Sequence, residues 1–367
     1  MKKTIVITLA TFLTLVVSAC GIPSGSAGTG ETSASYDKTE MAPMDRTYVK
    51  KNGIDVIYVA GGCFWGTEKL MQTIEGVVDA TSGYANGDED HEPSYETVAD
   101  TGFKETVRVE YDPAKVSLDA ILFAYYRSID PTITNRQGND VGTQYQAGVY
   151  WADELSKEIV ERIAEVEKSR VEEFAVEIEP LRSFYDAEEY HQNYLIKNYN
   201  GYCHISDEEF ELAANMIVDP ALYPMPSSEN IKETLTDEQY RVTQEGGTEY
   251  AFQNEYWDNH ERGLYVDVVT GEPLFSSSDK YDSGTGWPSF TKGIDENTFV
   301  YFTDATMSLD YAEVRSRTGN THLGHVFYNE SSSPSGERYC INSAALRFIP
   351  YGEMEKEGYG YLVDYIL

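Results

Sequence analysis

Three prolines within seven positions, in Asp219-Pro220-Ala221-Leu222-Tyr223-Pro224-Met225-Pro226, interrupt this 367-residue chain and leave a different pattern on each side. Each proline fixes φ and removes a backbone donor, so the segment 219–228 reads as an extended connector between two domains. The length agrees, at ~100–200 residues per domain. Upstream, residues 51–218 mix an apolar strand (Ile54 to Ala60), a strand over Glu105 to Tyr111, a helix from Ser117 to Ser128 behind a serine cap, and a long polar-faced helix from Ala152 to Ser169. That mixture predicts an α/β or α+β domain, a two-layer sandwich of sheet and helices. Downstream, residues 229–367 open on a helical stretch, Glu229 to Glu245. Short apolar runs follow, such as Gly263 to Val269, Thr298 to Thr303 and Ala345 to Ile349, separated by turn clusters. They predict a mostly β domain, an antiparallel sheet or barrel. No internal repeat relates the halves.

The N-terminus constrains where the chain works. Met1-Lys2-Lys3, an apolar run from Ile5 to Val17 and small residues before Cys20 read as a secretory signal. The run is short of the ~20 apolar residues of a membrane-spanning helix. Val17-Ser18-Ala19-Cys20 resembles the lipobox of bacterial lipoproteins, which implies that residues 1–20 are signal and that Cys20 becomes an acylated lipid anchor. An ordinary cleaved signal is the alternative. Residues 21–50 are rich in Gly, Ser, Thr and Ala and predict a flexible tether. A formal net charge of −34 argues against nucleic acid or anionic lipid as a partner of the domains. Four cysteines occur, at 20, 63, 203 and 340. With Cys20 acylated an odd number remains, which in an exported chain points to thiol chemistry rather than stapling.

Cys63 follows a strand and two glycines and opens a helix, where free N–H groups and the helix dipole favour thiolate. Gly62-Cys63-Phe64-Trp65-Gly66 resembles the signature of A-type peptide methionine sulfoxide reductases. The resemblance continues through Pro93-Ser94-Tyr95, Thr101-Gly102 leading to Glu105, Arg136-Gln137-Gly138-Asn139-Asp140, Gly142-Thr143-Gln144-Tyr145 and Asn200-Gly201-Tyr202-Cys203. It implies Cys63 as nucleophile and Glu105 as the acid that protonates the departing oxygen. It further implies that Tyr95 and Tyr145 bond that oxygen, that Asp140 orders the site, and that Phe64 and Trp65 hold the substrate methyl. Cys203 would resolve the sulfenic acid on Cys63; a static Cys63–Cys203 disulfide is the alternative. Phe103 stands where the family suggests a histidine, two residues before Glu105.

Cys340 lies in Glu337-Arg338-Tyr339-Cys340-Ile341-Asn342, which resembles the active strand of B-type methionine sulfoxide reductases. Tyr281-Asp282-Ser283-Gly284-Thr285-Gly286-Trp287-Pro288-Ser289-Phe290 and Thr321-His322-Leu323-Gly324-His325-Val326-Phe327 are the other matching blocks. They imply Cys340 as nucleophile, Trp287 against the substrate methyl, His325 supplying or relaying the proton, and His322, Asn342 and Arg338 shaping the site. Thr285 occupies the usual place of a resolving cysteine, and Asn329 that of a frequent aspartate expected to polarise the histidines. Where many relatives have a zinc-binding Cys-x-x-Cys pair, the chain reads Val268-Val269-Thr270-Gly271, so no metal is expected. A His-x-x-His metal site with Cys340 is the alternative.

The resemblance thus implies an extracytoplasmic, membrane-anchored oxidoreductase that repairs both sulfoxide epimers of methionine in oxidised proteins and peptides. No bound cofactor is expected, and an exported thioredoxin-like dithiol would supply electrons. The rivals are a non-catalytic peptide-binding lipoprotein and an enzyme whose second domain has decayed.

Overall fold

A computed structural model describes residues 44–367, except 46, 89, 304–309 and 332. The signal, Cys20 and most of the tether lie outside the described residues.

The first domain runs β1 (Asp55–Ala60), α1 (Phe64–Thr73), β2 (Val77–Ala85), α2 (Val98–Thr101), β3 (Lys104–Tyr111), α3 (Leu118–Arg127), β4 (Arg136–Gln137), β5 (Asp140–Val141), β6 (Gly148–Trp151), α4 (Glu154–Lys168), β7 (Glu177–Pro180), β8 (Phe184–Asp186), α5 (Tyr194–Lys197) and α6 (Asp207–Ala214). Six strands form one sheet in the order β7-β6-β1-β3-β2-β8, antiparallel except at β6-β7. Alternation along β1 assigns its two faces. Ile57 and Val59 join the core that includes Phe64, Leu70 and Ile121, whereas Val56, Tyr58 and Ala60 pack with Tyr150, Leu181 and Phe184 on the reverse. The expected caps form: Ser117 accepts from the Ala120 N–H, and Asp153 caps α4 through the Ser156 N–H. Glu105 to Tyr111 is a strand as expected, but it is central and buried along both faces.

Met44, Asp45, Thr47 and Tyr48, assigned to the tether on composition, pack against the first domain instead. Asp45 is buried and accepts from the Tyr58 hydroxyl and the Arg108 guanidinium, both at 2.9 Å. Arg108 points to the reverse face of β3, and without this carboxylate a buried cation would lose a partner.

The second domain runs α7 (Ser228–Thr234), α8 (Asp237–Glu245), β9 (Gly263–Asp267), β10 (Pro273–Ser276), β11 (Lys280–Tyr281), β12 (Ser289–Phe290), β13 (Phe299–Phe302), β14 (Tyr311–Ser316), β15 (His322–Phe327), β16 (Arg338–Ile341) and β17 (Leu346–Pro350). Two antiparallel sheets, β10-β9-β17 and β11-β12-β16-β15-β14-β13, enclose Tyr265, Phe275, Phe290, Phe299, Val314, Val326 and Ile341. The 219–228 connector is more packed than its prolines suggest. Asp219 caps a 3-10 turn over Pro220–Leu222, and Tyr223 is buried and stacked on Tyr359.

Candidate active sites

Gly62, at φ +81, turns the chain out of β1; a Cβ there would lie 2.5 Å from that of Gln137. Cys63 is therefore the N-cap of α1, in extended backbone, 6% exposed. The N–H groups of Trp65 and Gly66 reach its sulfur and favour thiolate, as a helix start should. Burial and the neighbouring Glu105 carboxylate nevertheless push the thiol above its ordinary value, so position alone does not deliver the expected thiolate.

Protonation of Glu105 removes the second of these causes and leaves burial. Glu105 is 2% exposed, accepts from the Phe64 N–H at 3.1 Å, and is pushed up to about 8, chiefly by burial, against the Phe64 hydrogen bond and with a smaller push from Asp140. At neutral pH it is a carboxylic acid. As such it carries a proton and imposes no charge on the Cys63 thiolate.

Tyr95 and Tyr145 stand near the same groups. Burial first, and then the Glu105 charge, raise both phenols, which therefore remain hydrogen-bond donors. Asp140 is raised by burial, opposed by a hydrogen bond from Tyr202. The Tyr202 hydroxyl also accepts from the Asn139 N–H at 3.1 Å, fastening the segment that carries Cys203. A Cβ on Gly66 would lie 2.9 Å from the Cys203 sulfur, which places that thiol against the first turn of α1. Cys63, Cys203 and Cys340 are all free thiols, so the static disulfide is not formed.

Phe64 is completely buried, with its ring against Trp65, Tyr84 and His191. Trp65 is half-buried and stacks on Tyr194 at 3.7 Å. Phe103, in the place of the expected histidine, is core, edge-on to Tyr185. The histidine that does enter the site is His191, which sequence reasoning missed. Its Nδ1 accepts from the Trp65 indole N–H at 3.1 Å, its ring lies 4.7 Å from that of Tyr95, and burial holds it below its ordinary value. Glu188 was missed as well; it accepts from the Tyr84 hydroxyl at 2.7 Å and the Tyr95 N–H at 3.0 Å.

In the second domain Cys340 sits on β16, directly opposite His325 of β15 and Ser289 of β12. His322 and His325 are three apart, and in a regular strand they would point to opposite faces. The register shifts, with His322 opposite Arg315 and Gly324 opposite Val314, so Leu323 is an inserted residue. This bulge brings the two imidazoles to 5.8 Å, edge to face. Gly324, at φ +152, is required: a Cβ there would meet the Cys340 carbonyl oxygen at 2.2 Å.

The carboxylate at the histidines is Glu313, on β14, and not residue 329. Its Oε1 lies 2.7 Å from both His322 Nδ1 and Arg315 Nε, and these partners overcome burial to hold it down at about 2. Asn329 lies beyond β15 with φ +56, a turn position. His325 is held below the ordinary imidazole value by burial and by His322, against Glu313. Burial raises the Cys340 thiol, and the Arg338 charge and hydrogen bonds from Thr285 and Arg338 oppose it. Arg338 is oriented by Glu330 at 3.1 Å and lies over the Phe327 ring.

Asn342 donates to the Leu323 carbonyl and accepts from the Glu249 N–H. Glu249, also missed from sequence, accepts the Ser343 and Ala344 N–H groups, and its carbonyl takes the Trp287 indole N–H at 3.3 Å. One residue thus orients both Trp287 and Asn342.

The 268–271 turn, where a zinc pair is found in many relatives, adjoins a buried polar network. Asp267 accepts from Ser316 at 2.6 Å and Thr321 at 2.9 Å, while Glu272 pairs with Arg317. Among the described residues no group of three or more His, Cys, Asp or Glu is arranged to hold a metal ion. Nor is any described helix long and apolar enough to cross a membrane.

Residues 55–217 match the family model described as peptide methionine sulfoxide reductase, and residues 235–350 that of the SelR domain. Mxr1 from Saccharomyces cerevisiae in reduced form is 37% identical over 43% of this chain and 94% of its own, with a TM-score of 0.41. Methionine sulfoxide reductase A of Corynebacterium diphtheriae is 34% identical over 42% and 79%, with a TM-score of 0.38. Mxr1 in complex with Trx2 is 28% identical over 41% and 91%, with a TM-score of 0.30. The chain belongs to the peptide methionine sulfoxide reductase family, as a fusion of a PMSR domain, which reduces methionine S-sulfoxide, and a SelR domain, which reduces the R epimer.

Proposed function

We propose that the two domains, 51–218 with the preceding 44–50 and 229–367, act through separate sulfenic acids. In the first, the Cys63 sulfur bonds to the sulfoxide sulfur while Glu105 gives its proton to the oxygen. Tyr95 and Tyr145 donate hydrogen bonds to that oxygen, with Asp140 ordering the polar side and Trp65 receiving the methyl. Transfer of the hydroxyl to the Cys63 sulfur breaks the substrate S–O bond and the new S–S bond together, leaving a sulfenic acid on Cys63 and releasing methionine. Cys203 thiolate then attacks the sulfenic sulfur, an S–S bond replaces the S–O bond, and hydroxide leaves as water after protonation. In the second domain Cys340 attacks, Trp287 holds the methyl, and His325 supplies the proton within the frame of His322, Asn342 and Arg338.

The observation that carries this reading is Glu105, buried and accepting from the N–H of Phe64 directly after Cys63, where burial pushes its carboxyl up to about 8. A sulfenic-acid probe added with a peptide sulfoxide tests it. Cys63 is labelled in a Cys203→Ser variant after the S epimer, and Cys340 after the R epimer; labelling of neither cysteine contradicts the assignment.

A thioredoxin-like dithiol is the proposed electron donor, supported by the solvent-side Cys203 segment and by a relative, Mxr1, solved in complex with Trx2. The proposed location is outside the cytoplasmic membrane, through acylated Cys20, with oxidised exported proteins as substrates. The signal and lipobox-like sequence support it. Recovery in the membrane fraction, lost in Cys20→Ala, is the expected result; equal fractionation of both proteins contradicts the anchor.

A further inference from the structure

Cys340 has no local thiol partner, and the residue in the usual place of that partner is not idle. Thr285 sits between Gly284 at φ +71 and Gly286 at φ +88, in a turn seated tightly enough that a Cβ on Gly286 would strike the Phe252 ring at 2.7 Å. Asn254 Nδ2 and the Phe252 N–H both bond the Gly286 carbonyl, at 2.8 and 2.9 Å. The turn is therefore fixed, and with it the direction of the Thr285 hydroxyl.

That hydroxyl ends a chain. Thr285 Oγ1 is 2.8 Å from Ser283 Oγ, which is 2.8 Å from Ser289 Oγ. Ser289 is completely buried and is the cross-strand neighbour of Cys340. Each hydroxyl has one proton, so the chain has two orders. In one, Thr285 donates to Ser283, Ser283 to Ser289, and Ser289 to the Trp287 carbonyl at 3.3 Å. In the other, Ser289, which faces Cys340 across the strand pair, donates to Ser283, Ser283 to Thr285, and Thr285 to the Cys340 sulfur, where its hydrogen bond opposes the effect of burial on the thiol. A neutral thiol, which can itself donate to Thr285, is compatible with the first order, and a thiolate selects the second. Hydrogen bonds aligned head to tail also polarise one another.

We propose that the Ser289-Ser283-Thr285 hydroxyl chain is a switchable donor that stabilises the Cys340 thiolate, with Thr285 as the catalytic residue touching the reacting sulfur. This rests on the assignment of Cys340 as nucleophile above. The chain serves twice. It assists formation of the attacking thiolate. It also assists the last step of recycling, in which an external dithiol first forms a mixed disulfide with Cys340, releasing water from the sulfenic acid. The donor's second thiolate then attacks its own sulfur in that bond, and Cys340 departs as thiolate. A leaving thiol of lower pKa departs faster.

The other charged or titratable groups around Cys340 are Arg338 on its own strand, with Glu330, His322 and His325 on β15, Glu313 on β14, and Glu249 after α8. All are unchanged by substitution at 285. The experiment follows iodoacetamide alkylation of the Cys340 peptide by mass spectrometry in the full chain across pH. Thr285→Val is expected to move the thiol titration upward and slow alkylation at pH 7 roughly fivefold, the value of about one hydrogen bond. Thr285→Ser, which keeps the hydroxyl, keeps the wild-type profile, and Ser283→Ala, which breaks the chain behind Thr285, moves it upward by less. A Val variant with the wild-type profile overturns the proposal, as does a Ser variant shifted as far as the Val one. Ser283→Ala provides the same reading if Thr285→Val does not fold. Alkylation needs no sulfoxide, so failure to turn over R-sulfoxide would count against Cys340 as nucleophile separately.

Discussion

The same proposed chemistry rests on different surroundings at Cys63 and at Cys340. Cys63 opens a helix, where backbone N–H groups have no partner within the helix, so the donors at its sulfur come from the main chain and no cationic side chain is among them. Cys340 lies within a six-stranded sheet with strands on both sides, and its backbone groups are committed to the ladder. Its donors must be side chains: the Thr285 hydroxyl and the Arg338 guanidinium. The acids differ in the same way. Glu105 stays protonated because burial makes its charge expensive, whereas His325 is an imidazole framed by His322 and Glu313. At the helix start the opposing donors are backbone N–H groups, while at the strand they are side chains drawn from several elements.

The comparison predicts different pH behaviour. Glu105 has a raised value, so its acid form is complete well below 8 and is lost as pH rises through about 8. S-epimer turnover should fall across that range. R-epimer turnover should show no break there, because His325 titrates below its ordinary value and Cys340 above its own. Glu105→Gln should cut S-epimer kcat by ~10²–10⁴-fold, remove the break and leave the R epimer untouched. An unchanged S-epimer profile in that variant would remove the distinction between the sites.

A smaller effect separates the recycling routes. Cys203→Ser should retain a full first turnover of the S epimer, while steady-state turnover with a dithiol protein donor falls several-fold. R-epimer turnover in the same variant should stay constant. A matching fall for the R epimer would mean that Cys203 also serves Cys340.

The proposed nucleophiles were legible because their signals are local. Cys63 follows a glycine turn at the end of an apolar strand, and Cys340 lies in a short strand block. The residues that orient them were not legible, because they arrive through tertiary contacts. His191 meets Trp65 across 126 positions, and Glu249 meets Ala344 across 95. Glu313 reaches His322 only because a bulge turns both imidazoles to one face, and Asp45 looked like tether because its buried partners Tyr58 and Arg108 are remote. In the 219–228 connector, Pro220 opens a capped turn and Tyr223 is buried beside Tyr359, a packing that composition did not supply, while Pro224 and Pro226 follow outside any element. The complete burial of Phe64 was not legible either, because burial within α1 depends on neighbours that sequence does not supply.

The most direct test of two independent cysteine centres assays the protein from Gly21 onward with each methionine sulfoxide epimer separately in a peptide, using dithiothreitol, beside Cys63→Ser and Cys340→Ser. The account predicts that Cys63→Ser loses only the S epimer and Cys340→Ser only the R epimer. Loss of both epimers in either variant, or retention of the R epimer in Cys340→Ser, contradicts it.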